Sequence, residues 1–135
     1  MARNDLKGKV VLIAGGAKNL GGLLSRNFAG KGAKVVIHYN SDATKADAEK
    51  TLKDITSAGG EAFLFQADLT DTKNITKLFD AAIEKFGGVD IAINTVGKVL
   101  KKPILDVTEK EYDSMSDINS KIAYFFIQEA GRKLN

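Results

Sequence analysis

The sequence predicts an α/β fold, a three-layer domain with helices on both faces of a doubly wound parallel sheet of strand order 3-2-1-4. Three observations predict it. Short apolar runs rich in β-branched residues alternate with longer runs of helical spacing. Strands joined through helices pair in parallel, and right-handed crossovers with one reversal of direction give that order. Four glycines, Gly15, Gly16, Gly21 and Gly22, crowd the turn after the first apolar run. Finally, 135 residues with 44% hydrophobic and 27% charged content suit one globular domain, residues 1–135, rather than two.

The elements follow in order. Lys9–Ala14 is a buried strand. Leu20–Gly30 is a helix with Leu20, Leu24 and Phe28 on one face, and Ala33–Tyr39 is the second strand. Ser41–Ala58 is a helix capped by Ser41 or Asp42, with Ala48, Leu52 and Ile55 inward, stopped by Gly59 and Gly60. Glu61–Gln66 is the third strand. Thr72–Phe86 carries Ile75, Leu78, Phe79, Ala82, Ile83 and Phe86 at helical spacing, and Gly87 and Gly88 end it. Val89–Asn94 is the fourth strand, apolar enough to expect cover on both faces and a neighbour on each side. After Pro103, the only proline, Ile104–Tyr112 predicts a short helix and Met115–Leu134 a long one.

Composition narrows the function classes. The chain has no cysteine, which excludes disulfides and thiolate metal sites, and no metal-ligand motif is visible. A dispersed net charge of +3 lacks the basic stripe of a nucleic-acid surface, but suits an anionic small ligand. The apolar runs Val10–Ala14 and Ile122–Ile127 are too short to span a bilayer. The charged N-terminus MARNDLKGK has no apolar core of a secretory signal. A cytoplasmic protein with no membrane and no nucleic-acid partner is the expectation.

The glycine cluster occupies the first β-to-α turn. There a helix N-terminus offers unpaired N–H groups and a partial positive charge, and glycines let a pyrophosphate come close. The spacing is G-x-x-x-N-x-G through Gly15, Asn19 and Gly21, with no Gly-Lys-Ser/Thr of a P-loop. A tight turn without a ligand is the alternative. Polar or glycine residues also end the other strands: His38-Tyr39-Asn40-Ser41, Ala67-Asp68-Leu69 and Asn94-Thr95-Val96-Gly97. Open α/β sheets bind ligands at that rim. His38, inside a strand, reads as packed rather than catalytic.

On these motifs the chain resembles the short-chain dehydrogenase/reductase family along essentially its whole length. The family's T-G-x-x-x-G-x-G turn is matched by Ala14 to Gly21, with Asn19 at the middle glycine, where asparagine tolerates the left-handed conformation. Asp68-Leu69 matches the Asp-Val pair, which implies adenine binding. Asn94-Thr95-Val96-Gly97 stands for N-N-A-G, which implies support of the central sheet and of the nicotinamide ribose. Asn119 in DINSK matches the catalytic-helix asparagine. The resemblance implies a Rossmann fold and a nicotinamide dinucleotide. Candidate cofactor-binding residues are Gly15, Ala17, Lys18, Asn19, Leu20 and Gly21 in the turn, and Tyr39, Asn40 and Ser41 after strand two. Asp68, Leu69, Asn94, Val96 and Gly97 complete the set.

Strand two ends without an acidic residue until Asp42, and Lys18 stands where NADP-using relatives carry Arg or Lys. Lys18, Asn40 and Ser41 suit a 2′-phosphate, so NADP(H) is favoured, while Asp42 keeps NAD(H) open.

The family's proton relay uses Ser, Tyr and Lys, with the asparagine holding a water. Here none of the three tyrosines begins Y-x-x-x-K, and of the relay only Asn119 is present. A fifth strand would begin about where the sequence stops. The expectation is the cofactor-binding half of an oxidoreductase acting on a small-molecule carbonyl or alcohol, 3-oxoacyl-type or another ketone, with this piece alone inactive. A non-catalytic dinucleotide-binding or regulatory module is the alternative. Apolar residues on the last helix, including Ile118, Tyr124, Phe125 and Ile127, exceed one core-facing stripe and predict a homo-oligomer, dimer or tetramer.

Overall fold

A computed structural model describes residues 5–135; residues 1–4, part of the charged stretch read above as no secretory signal, lie outside the described residues. Strands β1 (Val10–Ala14), β2 (Lys34–Tyr39), β3 (Glu61–Gln66) and β4 (Ile91–Asn94) form a parallel sheet in the predicted order β3-β2-β1-β4. Helices α1 (Asn19–Gly30), α2 (Lys45–Ser57), α3 (Lys73–Phe86), α4 (Glu109–Ser116) and α5 (Ile122–Lys133) connect and follow them. No described helix is long and apolar enough to cross a membrane.

Side chains alternate along a strand, so central β1 feeds two cores. Val10, Leu12 and Ala14 pack with Leu78 and Phe79 of α3 and Phe126 of α5. Val11 and Ile13 pack with Ala48 and Ile55 of α2, backed by Leu24 and Phe28 of α1. All five residues of β1 are buried. β4 is only half-buried and pairs with β1 alone among the described residues, less cover than its apolar run predicts.

The structure corrects four local expectations. Leu20 is 61% exposed rather than packed with Leu24 and Phe28, because it sits in the first turn of α1, overhanging a cleft. Neither Ser41 nor Asp42 caps α2. A 3-10 turn, Asp42–Thr44, intervenes, and Thr44 Oγ1 donates to the Ser41 carbonyl at 3.1 Å. The predicted helix Ile104–Tyr112 is a 3-10 turn, Ile104–Asp106, followed by α4. α4 starts where it does because Thr108 and Glu111 form a capping box. Lys102 and Thr108 hold the Glu111 carboxyl down at about 2. Last, the expected helix Met115–Leu134 is interrupted by a π-helical turn, Asp117–Lys121, between α4 and α5.

The β1–α1 connection is fixed by close backbone packing and by one buried side chain. A Cβ built on Gly21 would lie 1.8 Å from the Gly15 carbonyl oxygen. Gly15 itself has φ 73°, a left-handed conformation. The ring of His38, 2% exposed, ties three strand ends together. The Gly15 N–H donates to His38 Nδ1 at 3.0 Å, and His38 Nε2 lies 2.8 Å from the Ala67 carbonyl. An N–H can only donate and a carbonyl can only accept, so the ring is the neutral Nε2–H tautomer. Burial lowers its pKa from the usual 6.5, outweighing the Ala67 hydrogen bond and the charge of Asp68, which raise it.

Three outcomes follow from this packing. Gly21→Ala gains helix propensity but forces the turn apart, and urea unfolding should show a loss of at least about 1–3 kcal/mol. Gly30→Ala, with nothing within 4 Å of its Cβ, should be neutral or stabilising by up to about 1 kcal/mol. His38, the only histidine, should make stability depend on pH. Its folded pKa lies below the unfolded value, so its contribution is complete above about pH 6.5 and is lost as pH falls through the folded pKa. Unfolding curves between pH 5 and 8 should show this loss, and His38→Gln should remove that component of the pH dependence.

Candidate functional site

The C-terminal ends of the four strands open into a cleft of about 970 Å³. Its floor is the glycine turn. Asn19 opens α1 with φ 53°, the left-handed conformation expected of it at a glycine position. Lys18, exposed and extended, precedes it, and the Gly22 N–H donates to the Lys18 carbonyl at 3.0 Å. α1 has no acidic side chain in its first turn, so its N-terminal N–H groups and partial positive charge face the cleft without a carboxylate of their own.

Long-range hydrogen bonds hold the turn in shape. Ser25 Oγ, fully buried, lies 2.8 Å from the Gly16 carbonyl and 2.9 Å from that of Gly21. Thr51 of α2 donates to the Ala17 carbonyl at 2.6 Å. Thr95 Oγ1 lies 2.8 and 3.0 Å from the Ala14 and Gly15 carbonyls. The sequence reads His38 as packed, and it is, but its partners Gly15 and Ala67, like the contacts of Ser25 with Gly16 and of Thr51 with Ala17, are not visible there, because these pairs stand nine to thirty-four residues apart. Thr95 was visible only as a departure from N-N-A-G; its hydroxyl lies against the carbonyls of the turn.

The cleft is bordered by every candidate of the glycine turn, by Tyr39 and Asn40, by Asp68 and Leu69, and by Asn94, Val96 and Gly97. Asp68 Oδ1 accepts from the N–H and hydroxyl of Thr70, at 2.9 and 2.7 Å, which orients the carboxylate. Asn94 Oδ1 accepts from the Val96 N–H at 2.9 Å and shapes the bend after β4. Two candidates do not border the cleft. Ser41 is displaced by the 3-10 turn, and Thr44 takes its place in the wall. Asn119 spends its side-chain amide on the loop after β4: Oδ1 accepts from the Lys98 N–H and Nδ2 donates to the Lys98 carbonyl, both at 2.8 Å. Gly97 allows this approach, since a Cβ there would sit 3.2 Å from Asn119 Oδ1.

His38 has both ring nitrogens engaged, and among the described residues no cluster of three or more His, Asp or Glu gathers as a metal site. The donor set fits a dinucleotide. Helix N–H groups and a glycine backbone too tight for a Cβ suit a pyrophosphate, and Asp68 with the β3 end can face a base.

A family model described as short chain dehydrogenase matches residues 9–135. Elsinochrome reductase 1 of Elsinoe fawcettii is 37% identical over 136 residues, covering 100% of this chain and 50% of the reductase. A Burkholderia cenocepacia protein solved with bound NADP is 60% identical with a TM-score of 0.93, covering 100% of this chain and 51% of its own. A short chain dehydrogenase of Burkholderia cenocepacia J2315 in complex with NADP is 29% identical with a TM-score of 0.90, covering 96% and 52%. The chain spans about half the length of the curated relatives it matches. A match over residues 9–135, on a parallel sheet of order β3-β2-β1-β4 with its glycine turn at the ligand-binding rim, makes this chain a member of the short-chain dehydrogenase family.

Proposed function

We propose that this chain forms the cofactor-binding half of an NADP(H)-dependent oxidoreductase that interconverts a small-molecule ketone and a secondary alcohol. The observation that carries the reading is the cleft over the Gly15–Gly21 turn, where α1 presents its N-terminus and Lys18 stands at the rim. Two similar structures hold NADP, and relatives named as reductases support the reaction class. When bound, the dinucleotide would supply the hydride to the ketone or accept it from the alcohol.

The chain's own residues have narrower tasks in this reading. The N–H groups at the start of α1 hold the pyrophosphate, and His38 and Thr95 keep the turn that exposes them in register. Asp68 and Leu69 position the adenine. Asn94 and Val96 shape the floor beneath the nicotinamide ribose. Lys18, Asn40 and Thr44 face the 2′-phosphate, with Thr44 standing in for Ser41. Asn119 positions the loop carrying Gly97 and Lys98 from a π-helical turn, a geometry common at functional sites. The Ser, Tyr and Lys that move the proton to the substrate oxygen are assigned to sequence outside this chain. The exposed Tyr124 and Ile127 of α5 are assigned to contact with a second subunit.

In the full-length protein, NADPH should bind more tightly than NADH at low salt. Lys18→Ala should weaken NADPH by about 5-fold, the size of one lost charge-assisted contact, and leave NADH nearly unchanged. Raised salt should narrow the gap in the same way. Fluorescence titration of both cofactors measures this, and equal affinities or a preference for NADH would overturn the assignment. For the subunit contact, sedimentation should show a dimer or tetramer that Tyr124→Glu with Ile127→Glu dissociates.

A further inference from the structure

Asp42 is the carboxylate whose position leaves cofactor choice open. It is the first acid after β2, where an acid can accept from a ribose 2′-hydroxyl and repels a 2′-phosphate. In the structure its side chain is engaged elsewhere. Tyr39 and Gln66 are register partners at the ends of β2 and β3. The Tyr39 hydroxyl donates to Gln66 Oε1 at 3.3 Å, and Gln66 Nε2 donates to Asp42 Oδ1 at 3.1 Å. Chemistry fixes the orientation of the amide. A carboxylate only accepts, so the amide nitrogen faces Asp42, and its oxygen is left for the phenol. Tyr39, Asn40, Thr44 and Lys18 border the cleft, whereas Asp42, between Asn40 and Thr44 in sequence, does not.

We propose that Gln66 is a specificity-determining residue: held by Tyr39, it holds the Asp42 carboxylate out of the cleft and leaves Lys18 as the charge that faces the 2′ end of the adenosine subsite. The proposal rests on the NADP(H) reading above. It explains how an acid three residues past the end of β2 coexists with a site for a dianion. Gln66 itself does not touch the cofactor. It acts through Asp42, and its effect is therefore on the ratio of two affinities rather than on either alone.

The test uses the full-length protein and titrates NADPH and NADH into the wild type, Gln66→Leu, Asp42→Asn and the double variant. Gln66 is exposed at a strand end, so the substitutions leave the fold intact, which unfolding curves check. Gln66→Leu should cut the NADPH-to-NADH preference by about 3- to 10-fold, the range of one screened charge contact. Adding Asp42→Asn should restore it, because no carboxylate remains to swing inward, and Asp42→Asn alone should keep or raise it. A wild type that prefers NADH overturns the cofactor reading itself. A wild type that prefers NADPH, with a preference unchanged in Gln66→Leu, overturns only the role of Gln66. A loss that persists in the double variant, or equal weakening of both cofactors, overturns it as well.

Discussion

The contact on which the rest of the structure depends is the approach of Gly21 to the Gly15 carbonyl, so close that a Cβ would lie 1.8 Å from the oxygen. It brings the first turn of α1 beneath the end of β1 and so aims a helix N-terminus at the rim of the sheet. The sheet order then supplies the supports. β2 and β4 flank β1, so His38 arrives from one side and Thr95 from the other, while Ser25 and Thr51 reach the turn from the helices on the α1–α2 face. Each support is a hydrogen bond to a main-chain group of the turn. Buried main-chain groups left unpaired would cost about 1–3 kcal/mol apiece, so these side chains are what makes so tight a turn sustainable away from water.

Much of this was legible in the sequence, for a physical reason. Short apolar, β-branched runs and period-3.6 spacing are local properties, and they predicted each strand within a residue or two, while the handedness of the crossovers predicted the order of the sheet. Asn19 was legible because few residues other than glycine adopt positive φ. The border between Tyr39 and α2 was not, because a serine and an aspartate in succession look like a cap, yet the chain makes a 3-10 turn first. The sequence T-x-x-E at Thr108 to Glu111 did carry the signal for the start of α4, and Pro103 drew the expected helix too far forward. What sequence could not reach were the pairings across the fold: His38 with Gly15 and Ala67, Thr51 with Ala17, and Gln66 with Asp42. No spacing rule connects residues that meet only because two strands end side by side.

The other half of the structure answers to a different constraint, the docking of α5 on the sheet. Phe126 inserts against Phe79 of α3, with ring centroids 5.2 Å apart. Beside it Glu129 is buried, an expensive position for a carboxylate, and it is compensated by Thr76 of α3 and by Arg132 and Lys133. Lys133 also pairs with Asp80, so the charges lock the same two helices that the aromatic pair joins. With α5 anchored this way, the π-helical turn before it absorbs the offset needed to bring Asn119 onto the loop after β4. The position of Gly97 and Lys98 at the cleft is thus set from two sides, by Asn94 and Thr95 at the end of β4 and by Asn119 across the gap.

Binding strength and selectivity have separate origins in this arrangement. A pyrophosphate is common to both nicotinamide dinucleotides, so in the proposed reading the backbone of the glycine turn and the N-terminus of α1 would hold either one equally and favour neither. Discrimination has to come from side chains that meet the one place where the two molecules differ, which in the proposed reading are Lys18 in the turn and the groups at the ends of β2 and β3. That region is built from side chains rather than main chain, and its charges are exposed, where water and salt screen them. A selectivity of this kind is modest per contact and easily altered by substitution, whereas Gly15 and Gly21 of the turn leave no room for a side chain. In the proposed reading the fold thus keeps its fixed, backbone-built element for the shared part of the ligand and leaves the variable part to a few surface side chains, whose orientation, as with the Gln66–Asp42 hydrogen bond, would matter as much as their identity.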